Sequence, residues 1–150
     1  MSKALRHTAK GKSASSLLRA LTFRRSLSVH ELTSMLLPPY AALDALHRGR
    51  GSKSSHEVLA EAAVFSEFLA TRGHGAEAIP VVHDAQRALV SMANDASMMA
   101  LPVVAYETLK AWLTTYVEQL EQAGLEGIVA AGNALPSFIA SRTVALKMAA

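Results

Sequence analysis

Residues 102 to 123, PVVAYETLKAWLTTYVEQLEQA, constrain the fold more than any other stretch. Tyr106, Leu109, Leu113, Tyr116 or Val117, and Leu120 recur at helical spacing, which predicts one long amphipathic helix. Pro102 suits its first turn, where a missing N–H is harmless, and Gly124 stands where helices end in a left-handed residue. Such a helix must bury its apolar stripe against other elements. No window alternates in a strand-like manner beside a hairpin turn. The apolar mass is Ala, Leu, Val and Met with few aromatics, which favours helix over sheet.

The other segments follow the same grammar. Ser28 followed three residues later by Glu31 predicts a capping box, in which each side chain satisfies a free amide at the helix start. That helix is expected to run through Leu32, Met35 and Leu36 and to stop at Pro38-Pro39, because proline lacks the N–H and clashes with the preceding turn. A second short helix is expected over 39 to 48, with Tyr40, Leu43 and Leu46 inward and Gly49 terminating it. A second capping box, Ser54 with Glu57, predicts a helix over 55 to 72 with the stripe Leu59, Val64, Phe65, Phe68 and Leu69, ended by Gly73. Residues 78 to 94 predict another helix, with Val82, Leu89 and Met92 inward. Residues 15 to 25 predict a short one, and 125 to 148 an apolar segment broken at Pro136. Each of the pairs Leu37-Pro38, Ile79-Pro80, Leu101-Pro102 and Leu135-Pro136 reads as a helix start. The expected fold is all-α: a compact bundle of five to seven helices with short Pro-started, Gly-ended connections. It forms one domain over 15 to 150, behind a flexible basic arm over 1 to 14.

Charge divides the chain. Residues 1 to 53 hold ten Lys and Arg against Glu31 and Asp44, a net of +8; residues 54 to 150 hold five against ten, a net of −5. Such asymmetry points to a polyanion or an acidic partner for the leading third. Lys3, Arg6, Lys10, Lys12, Arg19, Arg24 and Arg25, with Arg48, Arg50 and Lys53, are the candidate nucleic-acid-binding residues. The acid-free, Arg- and Ser-rich first 30 residues also fit a mitochondrial transit peptide, a reading ranked below the others. A secretory signal is rejected because Arg19 interrupts the only apolar core. The longest uncharged run, Gly127 to Ser141, is too short to span a bilayer, so no membrane contact is expected.

Catalytic signatures fail one by one. With no cysteine, thiolate nucleophiles and Cys-based metal sites are excluded. "HRGRGSKSSHE", residues 47 to 57, has a Ser between Gly51 and Lys53, so it is not the G-x-x-x-x-G-K-S/T phosphate loop. It reads as a glycine helix stop and a capped helix start. His30-Glu31 and His56-Glu57 lack the second His of H-E-x-x-H, with Ser34 and Ala60 in its place. His74 and His83 match no ligand spacing, and His83, Asp84 and Arg87 read as a solvated helix face. No G-x-S-x-G elbow occurs. No catalytic residue, metal or cofactor is assigned.

Ser141-Arg-Thr-Val-Ala-Leu-Lys-Met148 resembles the recognition helix of Fis-type helix-turn-helix proteins over eight residues. More broadly, "LPPYAALDALHRGRGS", "LATRG", "AQRAL" and "YETLKAWLTTYVEQL" resemble a group of short, uncharacterised proteobacterial proteins found on mobile elements and sometimes labelled Fis-like regulators. The resemblance covers residues 37 to 120 in fragments and implies a bacterial cytoplasmic accessory protein, with no catalytic residue to transfer. The function expected is that of a non-enzymatic accessory or regulatory protein that contacts nucleic acid or a ribonucleoprotein through its basic leading third. The alternative is a protein-binding adaptor, inhibitor or assembly subunit, with a protein partner or self-association. Its motivation is the Met residues 92, 98 and 99 and the apolar tail 144 to 150.

Overall fold

The structure, a computed structural model, describes residues 25–93 and 101–149, with side chains through residue 143. The expected arm over 1 to 14, and residues 15 to 24 of the expected first helix, lie outside the described residues. Among those described, every regular element is helical. Helix α1 spans Val29–His47, α2 Lys53–Thr71, α3 Ile79–Ala93 and α4 Val103–Ala149, with a 3-10 turn at Ala76–Ala78 ahead of α3. The all-α class therefore holds, with four helices among the described residues in place of five to seven.

Part of the difference lies at Pro38 and Pro39; the expected helix over 15 to 25 falls almost wholly outside the described residues, and the expected segments 102 to 123 and 125 to 148 are joined in α4 across a break at Gly124. Helix α1 runs straight through Pro38 and Pro39, which were expected to end it. The carbonyls of Ser34 and Met35 lose their helical partners there, a cost that burial outweighs. Leu32, Met35, Leu36, Pro39, Leu43 and Leu46 form one continuous stripe, and Pro39 itself is buried. Tyr40, expected inward, is exposed. Helix α4 likewise continues through Pro136. Its only non-helical residue is Gly124, at φ 60° and ψ −174°, which breaks it into residues 103–123 and 125–149. A non-glycine residue would be strained there, and a Cβ would also come within 3.2 Å of the Arg25 carbonyl oxygen. That oxygen accepts from the Leu125 N–H at 3.2 Å, tying the start of the described chain to the break.

Ser28 and Glu31 cap α1 reciprocally, as expected. The expected Ser54–Glu57 box does not form. Ser52 and Ser55 cap α2 instead, so that helix begins two residues early. A Ser can serve as either partner of a capping box, and Ser52, Ser54 and Ser55 compete for the role. Gly51 explains which wins. A Cβ on Gly51 would meet Leu46 Cδ2 at 2.2 Å and the Leu46 Cα at 3.2 Å. The turn after α1 is thus pressed onto a fully buried Leu46, and the chain reaches helical geometry immediately afterwards.

Helices α2 and α4 are central, each packing against the three others. Leu59, Leu69, Val82, Leu109, Trp112, Leu113 and Leu120 are inaccessible to solvent. Between α2 and α4 lies a polar cluster inside this core. Trp112 Nε1 donates to Ser66 Oγ at 3.1 Å, and Ser66 Oγ donates to Gln119 Oε1. Gln119 Nε2 donates to the backbone oxygens of Ser66 and His74, at 3.2 Å each. The residues after the break form one face toward the body, with Ile128, Ala131, Leu135 and Phe138 against the core. The Phe68 and Phe138 rings lie 4.7 Å apart.

Candidate binding groove

The four described candidates for nucleic-acid contact do not form one patch. Arg25 precedes α1, whereas Arg48, Arg50 and Lys53 follow it. The 19 residues of α1 separate the two groups by about 28 Å of helix. The Arg25 guanidinium grips Glu31 with both nitrogens, at 2.7 and 2.6 Å. That grip, with the Ser28 amide and hydroxyl, holds the Glu31 carboxyl well below the usual carboxylate range. Arg48 pairs with Asp44 at 2.8 Å, and Lys53 with Glu57 at 3.6 Å, both on the surface. Glu57, expected to cap α2, thus serves as an ion-pair partner one turn into it. Among the described residues Arg50 has no carboxylate partner and is exposed. Lys3, Arg6, Lys10, Lys12, Arg19 and Arg24 lie outside the described residues.

A different feature has the character of a binding site. Helices α2, α3 and the C-terminal half of α4 enclose a groove of about 260 Å³. Ala60, Ala63 and Val64 come from α2, Leu89 and Val90 from α3, and Ile139 and Thr143 from α4. The depression continues along α2 and α3 toward Lys53 and His56. Small side chains on α2 open it: two alanines face the exposed Val90 across the gap. A concave apolar surface with few polar groups is the usual form of a ligand or peptide site.

Those polar groups gather at one end. Glu67, with only 13% of its side chain accessible, accepts from Gln86 Nε2 at 2.7 Å and from Arg142. His83 Nε2 lies 3.5 Å from the same carboxylate. Burial pushes the Glu67 carboxyl up, but the bonds from Gln86 and Arg142 and the nearby positive charge outweigh it and leave the group below its ordinary value. Arg142 thereby ties the C-terminal half of α4 to α2. On α3, Arg87 pairs with Asp84 on the expected solvated face, while His83 turns toward Glu67.

Glu67 belongs to none of the sequence motifs. The one signal for it is an acid between Phe65 and Phe68 on an apolar stripe, where a carboxylate needs partners. Arg142 stands out in the sequence only through its likeness to a recognition-helix residue. Among the described residues no group of three or more His, Asp or Glu is placed to hold a metal. One helical stretch, Val103–Thr143, is long and apolar enough to cross a membrane by length and composition. Its most apolar window has mean hydropathy 1.2 and is only 6% buried. The uncharged run from Gly127 to Ser141 is shorter than that window. Comparison with models of protein families, with curated proteins and with solved structures finds no match.

The Glu67 carboxylate yields a pH prediction. A carboxyl whose folded pKa is depressed contributes stability above its unfolded pKa of about 4.3 and loses it as pH falls through the folded value. Glu67→Gln is therefore expected to lower the stability at pH 7 and to flatten its decline below about pH 4.3. Urea unfolding of both proteins between neutral and acid pH measures this, and parallel curves would contradict it.

Proposed function

We propose that this chain is a protein-binding module without catalytic chemistry of its own, and that the groove between α2, α3 and α4 receives an amphipathic helix of its partner. The observation that carries the reading is the placement of Val90, 62% exposed, beside Ile139, 47% exposed, on opposite walls of an apolar depression. Groove-docked helices are held by apolar anchors at helical spacing, with polar residues at the rim. Here the rim carries Lys53 and Glu57 at one end and Arg142, paired with the Glu67 carboxylate beneath it, at the other. The rim charges thus balance, favouring a partner helix of mixed charge over a strongly acidic or basic one.

Selection from a library of amphipathic helical peptides tests this. The wild-type chain is expected to enrich binders with micromolar dissociation constants. Val90→Glu is expected to weaken them by at least tenfold without altering the melting curve, since Val90 contributes little to the core. No enriched peptide, or binding indifferent to that substitution, would sink the reading.

A second reading, contact with nucleic acid, is favoured by the +8 net charge of residues 1 to 53 and by Arg50, which has no carboxylate partner among the described residues. Lys3, Arg6, Lys10, Lys12, Arg19 and Arg24 would supply most of the phosphate contacts. Six contacts on duplex DNA predict a log–log salt slope of about −5, with little sequence preference. A mobility shift at low salt that vanishes at moderate salt would support it; no shift at low salt would dismiss it.

A further inference from the structure

The described chain begins beside the break in α4. The Arg25 carbonyl oxygen accepts from the Leu125 N–H at 3.2 Å, an amide that an unbroken helix would bond to residue 121. Residue 24 and everything before it therefore leave the body next to Gly124. Those residues carry Lys3, Arg6, Lys10, Lys12, Arg19 and Arg24 with no Asp or Glu, a net of +6. They also carry Leu17, Leu18 and Leu21. Leu21 neighbours the other two on one side of the helix expected there, four and three residues on.

The surface at that exit is complementary in charge and in polarity. Between Lys110 and Arg142, α4 has Glu118, Glu121 and Glu126 and no Lys or Arg. Glu118 and Glu121 are exposed and pair with no base among the described residues. Both lie within about 10 Å of the break along the helix. Beyond the break, Leu125 is half-buried and Val129 is 40% accessible. One turn further, a Cβ on Gly132 would meet no heavy atom within 4 Å, which leaves room for an incoming side chain.

We propose that residues 15–24 of this chain dock as a helix on Leu125, Val129 and Gly132, with the leucines inward and the arginines toward Glu118 and Glu121. A tether this short gives an effective concentration on the order of millimolar, so a small contact suffices. Ten helical residues span about 15 Å, which from Leu125 ends near residue 134, short of Ile139 and Thr143 in the groove. The contact is thus separate from the groove and does not depend on it. It engages Arg19 and Arg24 with the chain's own carboxylates, so a polyanion must compete with the body for this segment.

The chain has no cysteine, so disulfides can report the docking in the full-length protein. Leu21→Cys and Thr22→Cys are each combined with Val129→Cys and oxidised with diamide. Position 22 is nearer the tether but turned about 100° from position 21 on a helix. Docking predicts that Leu21→Cys closes on Val129→Cys about fivefold faster than Thr22→Cys does. Glu118→Gln with Glu121→Gln is expected to slow that closure about fivefold. In the chain without introduced cysteines, the same two substitutions are expected to speed trypsin cleavage after Arg19 by a similar factor.

Similar closure rates at positions 21 and 22 would show a segment that is tethered but not docked, and overturn the proposal. Cleavage indifferent to the two glutamates would overturn it as well. Disulfide-linked dimers in place of the intramolecular bond would put a second copy on this face and exclude the chain's own segment.

Discussion

Gln119 is a polar side chain with 1% of its surface accessible, and its amide has no water to fall back on. A buried amide left unpaired costs about 1–3 kcal/mol per group, so its position is tolerable only where partners stand in fixed places. Ser66 and the His74 carbonyl are those partners. The Ser66 oxygen also accepts from Trp112, so one hydroxyl serves as both donor and acceptor. Apolar packing of α2 on α4 would tolerate sliding by a residue or a turn. This network permits one register, because a shift would strand several buried groups at once. No buried side-chain nitrogen or oxygen among the described residues lacks a partner.

The register has consequences for the neighbouring residue of α2. Ser66 directed into the core leaves the adjacent Glu67 at the edge of the α2–α3 face. There Gln86 and Arg142 reach it, and Arg142 draws in the second half of α4. The groove is the space left between these elements where α2 presents alanines. Most described charges are meanwhile engaged locally: Arg25 with Glu31, Arg48 with Asp44, Lys53 with Glu57 and Arg87 with Asp84. Surface pairs of this kind contribute little stability, but they leave little unpaired positive charge around α1 and the start of α2. The most exposed large apolar side chains are Val29 and Leu37 on α1, Val90 on α3 and Val103 and Val104 at the start of α4.

Helix identity and core membership were legible wherever apolar spacing was strict. Val82, Leu89 and Met92 in α3, and Leu109, Leu113, Tyr116 and Leu120 in α4, are buried as their spacing required. The Ser28–Glu31 cap was legible too, because no competing Ser pairing displaced it. Two kinds of local rule misled. Pro38, Pro39 and Pro136 break isolated helices, yet a stripe packed on both sides of a proline holds the helix together across the missing bond. Ser54 with Glu57 satisfied the capping pattern, but the close approach of Gly51 to Leu46 set the start of α2 earlier. The groove was not legible because it depends on which residues of three separate helices converge. Glu67, Gln86 and Arg142 are distant in sequence, and single-chain periodicity carries no information about their meeting.

The register of the bundle depends on Ser66 and Gln119 acting as one unit between α2 and α4. A double-mutant cycle with Ser66→Ala and Gln119→Leu, followed by urea unfolding at the fluorescence of the single tryptophan, tests this directly. Each single substitution strands a buried partner of the other residue. The two are therefore expected to be coupled by about 1–3 kcal/mol, with the double variant less destabilised than the sum of the singles. Additivity within about 0.5 kcal/mol would show that the two side chains act independently, and would contradict the claim that their network sets the register of the fold.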